Sequence, residues 1–167
     1  KISYKIQKKP NGIAEAFFLS EDFIGKSRFC IILGDNFFWG DGLYKKLIEA
    51  KTSKEKNIIF SYWIDNPKDF AVISKNKNKI YITEKPEIPQ SNNIVTGLYF
   101  FENNAIKIAK KLKPSKRNEL EITDLLNRYK KQNKLSAELL GRGGAWLDTG
   151  SMEDYYKTSM FVSAVEN

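Results

Sequence analysis

Two short stretches of this chain each set one carboxylate where a buried apolar strand runs out into a turn of small residues. One is Gly144-Ala145-Trp146-Leu147-Asp148-Thr149-Gly150; the other is Ile31-Ile32-Leu33-Gly34-Asp35-Asn36. Taken singly, Asp35 reads as a turn or helix-cap aspartate, and Asp148 as a cap for a helix starting near Ser151. Taken together they suit one shared Mg²⁺, which binds one or two protein carboxylates and completes its shell with substrate phosphates. The chain has no histidine and one cysteine, so a zinc site and histidine acid–base chemistry are excluded from within it.

Other residues sort into plain and functional readings. Gln7-Lys8-Lys9-Pro10-Asn11-Gly12 is a turn, or a loop that reads a base. Gln7 carries both a donor and an acceptor, matching the edge of thymine or uracil, and Gly12 would let the backbone come close to it. Thr83-Glu84-Lys85-Pro86 is a surface ion pair, or Glu84 accepts sugar hydroxyls while Lys85 holds a phosphate. The glycine in Val95-Thr96-Gly97-Leu98-Tyr99 marks close approach of a ligand or of other backbone. The acids of Arg117 to Asp124 suit the positive end of a helix. Arg142 could touch phosphate, but Gly141-Arg142-Gly143-Gly144 leads into a strand, unlike a phosphate-binding loop.

Those residues need a scaffold. At 167 residues with 41% hydrophobic content, the chain is read as one globular domain. The net charge of +8 invites a nucleic-acid partner, but only four of 28 basic residues are arginines and the lysines are scattered among acids, so none is expected. The longest apolar run, Phe29 to Leu33, is too short to cross a membrane. Cys30 inside it reads as a buried thiol in a reducing cytoplasm.

Apolar strand patterns are expected at Ile2 to Ile6, Phe29 to Leu33 (buried on both faces), Asn57 to Ile64, Asn93 to Phe101, Leu135 to Leu140 and Ala145 to Leu147. Asp65-Asn66-Pro67 reads as a turn, and Phe70 to Ser74 and Lys79 to Thr83 as a hairpin. Helices are expected within Asn11 to Phe23, at Leu43 to Ala50, and on three apolar stripes: Ala105/Ile108/Ala109/Leu112, Ile122/Leu125/Leu126/Tyr129 and Met152/Tyr155/Tyr156/Met160, the last capped by Ser151. The alternation predicts an α/β fold with a central mixed, mostly parallel sheet flanked by helices. Ligands would bind beyond the carboxyl ends of its strands, where Asp35 and Asp148 stand.

The ordered set of motifs resembles the glucose-1-phosphate thymidylyltransferases: Gln7-x4-Gly12-Ile13-Ala14-x-Ala16, Leu33-Gly34-Asp35-Asn36, Glu84-Lys85-Pro86, Val95-Thr96-Gly97-Leu98-Tyr99-Phe100, Glu119-Leu120-Glu121-Ile122-Thr123-Asp124 and Gly141-Arg142-Gly143-x-Ala145-Trp146-Leu147-Asp148-Thr149-Gly150. The resemblance covers nearly the whole chain. It implies a Rossmann-like nucleotidyltransferase fold and a reaction joining dTTP and glucose 1-phosphate into dTDP-glucose and pyrophosphate. It further implies that Asp35 and Asp148 hold Mg²⁺, that Gln7 and Gly12 contact the base, that Glu84, Val95 and Trp146 contact the sugar, and that Lys85 meets its phosphate. A homotetramer is implied as well.

Two departures stand out. Phe70-Ala71 replaces the family's Tyr-Gly. The family's Gly-rich triphosphate loop with its arginine is not in the sequence, so residues 1–167 are expected to be a single-domain fragment that is inactive alone. A non-catalytic sugar-phosphate-binding or assembly module, and a uridylyltransferase of the same fold, stay open beside this reading.

Overall fold

The computed structural model describes residues 2–55, 57–76, 79–141 and 143–166. Its elements in chain order are α1 (Glu15–Leu19), α2 (Glu21–Ile24), β1 (Phe29–Ile32), β2 (Asn36–Gly40), α3 (Leu43–Thr52), β3 (Ile58–Trp63), β4 (Val72–Asn76), β5 (Lys79–Thr83), β6 (Asn93–Phe101), α4 (Ala105–Ala109), α5 (Ile122–Lys131), β7 (Ser136–Leu139), β8 (Gly144–Asp148) and α6 (Met152–Glu166). A 3₁₀ turn at Pro67–Asp69 precedes β4.

The main sheet runs β5-β4-β6-β3-β7, with β1 also paired to β6. β6 is central and buried on both faces, and its side chains alternate between two apolar layers. Tyr99 and Phe101 join Phe17, Ile106, Leu125 and Tyr129 under α1, α4 and α5. Ile94, Leu98 and Phe100 join Ala50, Phe60 and Trp146 on the opposite face, against α3 and β8. Burial of such a two-sided strand is the main driving force of this fold. A second sheet is the two-stranded antiparallel ribbon β2–β8.

The sheet is mixed, as expected, but the expected parallel majority is absent. Among the described pairings β3–β7 is parallel, whereas β1–β6, β3–β6, β4–β5 and β4–β6 are antiparallel. Hydrophobic period reports burial, and it carries no information on strand direction.

Three local expectations also fail. Residues 2–6 form no strand, and Ile2, Tyr4 and Ile6 are exposed; alternation supplies strand propensity, and among the described residues no neighbouring strand pairs with it. β1 is only half covered. Its residues alternate between partly buried and exposed, which puts Cys30 and Ile32 in solvent. α6 forms and Ser151 caps it, accepting from the Asp154 N–H at 3.1 Å, but Met152, Tyr155, Tyr156 and Met160 point outward. The face that packs carries Thr158 and Phe161, whose ring meets Phe37 at 6.3 Å and Trp39 at 5.8 Å. No helix among the described residues is long and apolar enough to cross a membrane.

Candidate functional site

The Asp35–Asp148 pair is built by the ribbon. Asn36 and Asp148 are register partners in β2–β8, so the residue before β2 and the last residue of β8 meet at one end. Thr149 clamps that end, donating from its N–H at 2.7 Å and its Oγ1 at 2.8 Å to the Asp35 carbonyl. The carboxylates converge over Gly150. A Cβ there would lie 3.0 Å from Asp148 Oδ1 and 3.9 Å from Asp35 Oδ2. Asp148 Oδ1 accepts the Gly150 N–H at 2.8 Å, and Asn36 Nδ2 donates to Asp35 Oδ1 at 2.8 Å.

Burial holds the Asp148 carboxyl above the ordinary carboxylate range, and the charges of Asp35 and Asp154 push it the same way against the pull of the Gly150 N–H and Lys85. A carboxylate whose ionisation is opposed by burial and by a neighbouring anion marks a place where a cation is favoured.

Asn36 is the residue that sequence reasoning missed. Its Oδ1 accepts from the Gly97 N–H at 2.8 Å and from Trp146 Nε1 at 2.7 Å. The Gly97 donor is free because β1 ends beside it: the Leu33 N–H still donates to the Gly97 carbonyl at 2.9 Å, but the Leu33 carbonyl turns back to accept the Asn36 N–H at 3.2 Å. The Leu33–Asn36 turn thus puts the Asn36 side chain where the next rung of the ladder would be. It also explains the glycine, since a Cβ at Gly97 would sit 2.6 Å from Asn36 Oδ1 and 2.8 Å from Leu33 Cβ. The close approach read at this position is therefore made by the chain's own Leu33–Asn36 turn.

Lys85 stands beside the pair. Its backbone is left-handed at φ 38°, a conformation that costs a non-glycine residue about 1–2 kcal/mol and clusters at functional positions. Its N–H donates to the Phe70 carbonyl at 3.2 Å. Its charge favours ionisation of Asp148 on one side and of Glu84 and Glu121 on the other. Burial raises the Glu84 carboxyl, the charge of Glu121 adds to this, and Arg117 opposes it.

Arg117 bridges three acids: Glu84 at 3.4 Å, Glu119 at 3.5 Å and Glu121 at 2.8 Å. Burial alone would raise Glu121, but the Arg117 and Ser115 hydrogen bonds outweigh it and bring the carboxyl below its usual range. Glu119 and Glu121 thus serve a guanidinium, and only Asp124 lies in the first turn of α5.

A cavity of about 510 Å³ opens here, lined among others by Phe70, Lys85, Trp146, Asp148, Asp154 and Lys157. Trp146 is nearly fully buried and forms a wall, its ring edge-on to Phe70 at 5.4 Å. Val95 is elsewhere: its side chain lies in the helix-covered core and its N–H donates to the Ala71 carbonyl at 2.8 Å. Ala71 packs on that same core.

Gln7 and Gly12 form a separate loop beside the Arg117 cluster. Gly12 has φ 99°, and a Cβ would meet the Leu120 carbonyl oxygen at 2.6 Å. Its glycine is required by backbone packing, sealed by the Leu120 N–H donating to the Asn11 carbonyl at 2.7 Å. Gln7 Nε2 donates to the Gly12 carbonyl at 3.2 Å and to Glu15 Oε2 at 2.5 Å. Arg142 lies outside the described residues.

Asp35 and Asp148 converge as two hard-oxygen carboxylates, with the Lys85 cation nearby. No group of three or more His, Cys, Asp or Glu among the described residues is placed to hold a metal. The pair fits a small hard cation such as Mg²⁺ whose remaining ligands come from phosphate.

Comparison with known proteins points the same way. The nucleotidyl transferase family model matches residues 1–165. The glucose-1-phosphate thymidylyltransferase of Neisseria meningitidis serogroup A is 45% identical over 99% of this chain and 58% of its own length. That of Mycobacterium tuberculosis strain H37Rv is 40% identical over 99% of this chain and 58% of its own. The chain thus spans about 58% of the length of these relatives. A Bacillus anthracis structure described as a glucose-1-phosphate thymidylyltransferase in complex with sucrose superposes with a TM-score of 0.84 at 37% identity, covering 95% of this chain and 64% of that one. A UDP-glucose pyrophosphorylase complexed with UDP-glucose gives 0.85 at 26% identity, covering 97% and 66%.

Proposed function

The chain belongs to the nucleotidyl transferase family, and from that membership we propose that it serves thymidylyl transfer, joining dTTP and α-D-glucose 1-phosphate to give dTDP-glucose and pyrophosphate. The thymidylyltransferase relatives support this choice of substrates. The observation that carries the reading is the convergence of Asp35 and Asp148 over Gly150, with Asp148, Gly150 and Lys85 lining one cavity.

Asp35 and Asp148 would hold Mg²⁺, which when bound offsets phosphate charge. Lys85 binds the sugar phosphate as a point charge. Glu84 accepts sugar hydroxyls, and Phe70 and Trp146 form the wall the sugar lies against. The base sits over Gln7 and Gly12. A sugar-phosphate oxygen attacks the α-phosphorus in line, the bond to pyrophosphate breaks, and no covalent enzyme intermediate forms. The side chains named here contribute positioning and charge neutralisation. The protein acts as a homo-oligomer, a tetramer in this reading, which sedimentation equilibrium tests.

Calorimetry with dTDP-glucose tests the reading. Binding is expected with MgCl₂, and is expected to be lost with EDTA and in Asp148→Asn. Wild-type protein that ignores dTDP-glucose, or binds it equally well in EDTA, would overturn the proposal. Equal binding of UDP-glucose favours the uridylyl alternative.

A further inference from the structure

The loop holding Gln7 contains a device that sets which way its amide faces. Both neighbours of Gln7 Nε2 are pure acceptors: the Gly12 carbonyl at 3.2 Å and Glu15 Oε2 at 2.5 Å. A side-chain amide oxygen in that position would face two oxygens without a proton between them, so chemistry alone assigns the nitrogen there. Both amide hydrogens are then engaged. No described group donates to Gln7 Oε1, and the residue is exposed.

Glu15 is itself held. Asn11 Nδ2 donates to its other oxygen at 3.2 Å, and the Glu15 N–H donates to the Gly12 carbonyl at 3.3 Å. Gly12 is pinned against Leu120. The ring Gln7–Gly12–Glu15–Asn11 is therefore closed and packed against the rest of the fold.

We infer that Glu15 is a positioning residue that turns Gln7 into an acceptor-only reader of the base, selecting a pyrimidine with an imino N3–H, thymine or uracil, over cytosine. The inference rests on the proposed nucleotide role of Gln7. An outward-facing Oε1 can accept from N3–H. Against the unprotonated N3 of cytosine it would place two lone pairs together, and the amide cannot flip to offer a donor without leaving Glu15 and Gly12. The residue's two-way hydrogen-bonding capacity is thus reduced to one direction by its surroundings, and the discrimination resides in Glu15.

The test measures dTTP and dCTP binding to the protein in MgCl₂ by calorimetry, with glucose 1-phosphate as an internal control. Wild type is expected to prefer dTTP by about tenfold or more, the scale of one hydrogen bond made against one opposed. Glu15→Ala frees the amide to flip and is expected to shrink that preference severalfold, with glucose 1-phosphate affinity unchanged. Glu15→Gln is expected to restore it, because its carbonyl oxygen accepts from Gln7 while Asn11 rotates its own amide to match. A Glu15→Ala protein that keeps the wild-type dTTP:dCTP ratio overturns the inference. So does one that loses glucose 1-phosphate as well, or a Glu15→Gln protein that stays unselective. Wild type that binds dTTP and dCTP equally refutes the inference and leaves thymidylyl transfer standing; wild type that binds neither refutes both.

Discussion

Trp146 donates its indole N–H to Asn36 Oδ1 at 2.7 Å across 110 residues of sequence. The same oxygen takes the Gly97 N–H at 2.8 Å. One amide oxygen thereby joins the ribbon, the central strand and the cavity wall, immediately next to Asp35.

Asn36→Ala should expose how much rests on that oxygen. It strands the buried Trp146 N–H and the Gly97 N–H, at about 1–3 kcal/mol for each donor left unpaired. Urea unfolding is expected to show a loss of about 2–6 kcal/mol for the two together, with an unchanged slope. Asn36→Asp keeps an acceptor for both donors and should retain more stability, while adding charge beside Asp35. Wild-type stability in Asn36→Ala would mean that water replaces the amide.

Asp148 makes stability depend on pH in a direction opposite to most carboxylates. Its folded value is raised above the ordinary 3.8 by burial and then by Asp35, so the folded state holds the proton more tightly than the unfolded chain. The penalty is absent at low pH and appears as pH rises from the ordinary value through the raised one. Asp148→Asn is therefore expected to raise the metal-free Tm at pH 7, with the gain fading below pH about 4. Added MgCl₂ should stabilise wild type and leave the variant unmoved. Thermal scans at the two pH values check both signs.

Arg117→Gln removes the cation shared by Glu84, Glu119 and Glu121. The Glu121 side chain is 11% exposed but Arg117 is 41% exposed, so solvent screening holds the expected loss to about 1–2 kcal/mol at pH 7. Glu121 has a lowered folded value, so its contribution is complete above the ordinary 4.5 and disappears as pH falls through the lowered one. The gap between wild type and variant should close over that interval in denaturant titrations. A gap that persists in acid would trace to packing.

How far the sequence reached can be judged residue by residue. β6 falls on Asn93–Phe101, as read from its continuous apolar run. α5 buries Ile122, Leu125, Leu126 and Tyr129, the stripe its spacing marks. These are cases in which burial pattern and structure express the same quantity. The misses share a different cause. Ile2, Tyr4 and Ile6 alternate like a strand, and a strand also needs a partner. The apolar stripe of α6 is real in sequence, while its packed face was chosen by Phe37 and Trp39 across the ribbon. Of the candidate site, the meeting of Asp35 and Asp148 was legible because acids at strand ends stand out. Asn36 and Arg117 were not, because their partners lie far off along the chain and a neutral amide leaves no pattern. Gly12 and Gly97 were legible as close approaches; that the neighbours are Leu120 and the Leu33–Asn36 turn required coordinates.

The β2–β8 ribbon has a kinetic corollary. Its strands pair across more than a hundred intervening residues, so closing it demands the entropy of a very large loop before any of its contacts form. A nascent polypeptide still lacking β8 carries Asp35 with nothing opposite it. Competence to bind a cation thus arrives only once the whole topology has closed, and an ion engaging both strands would act as a late clasp that favours the finished fold over its half-assembled predecessors.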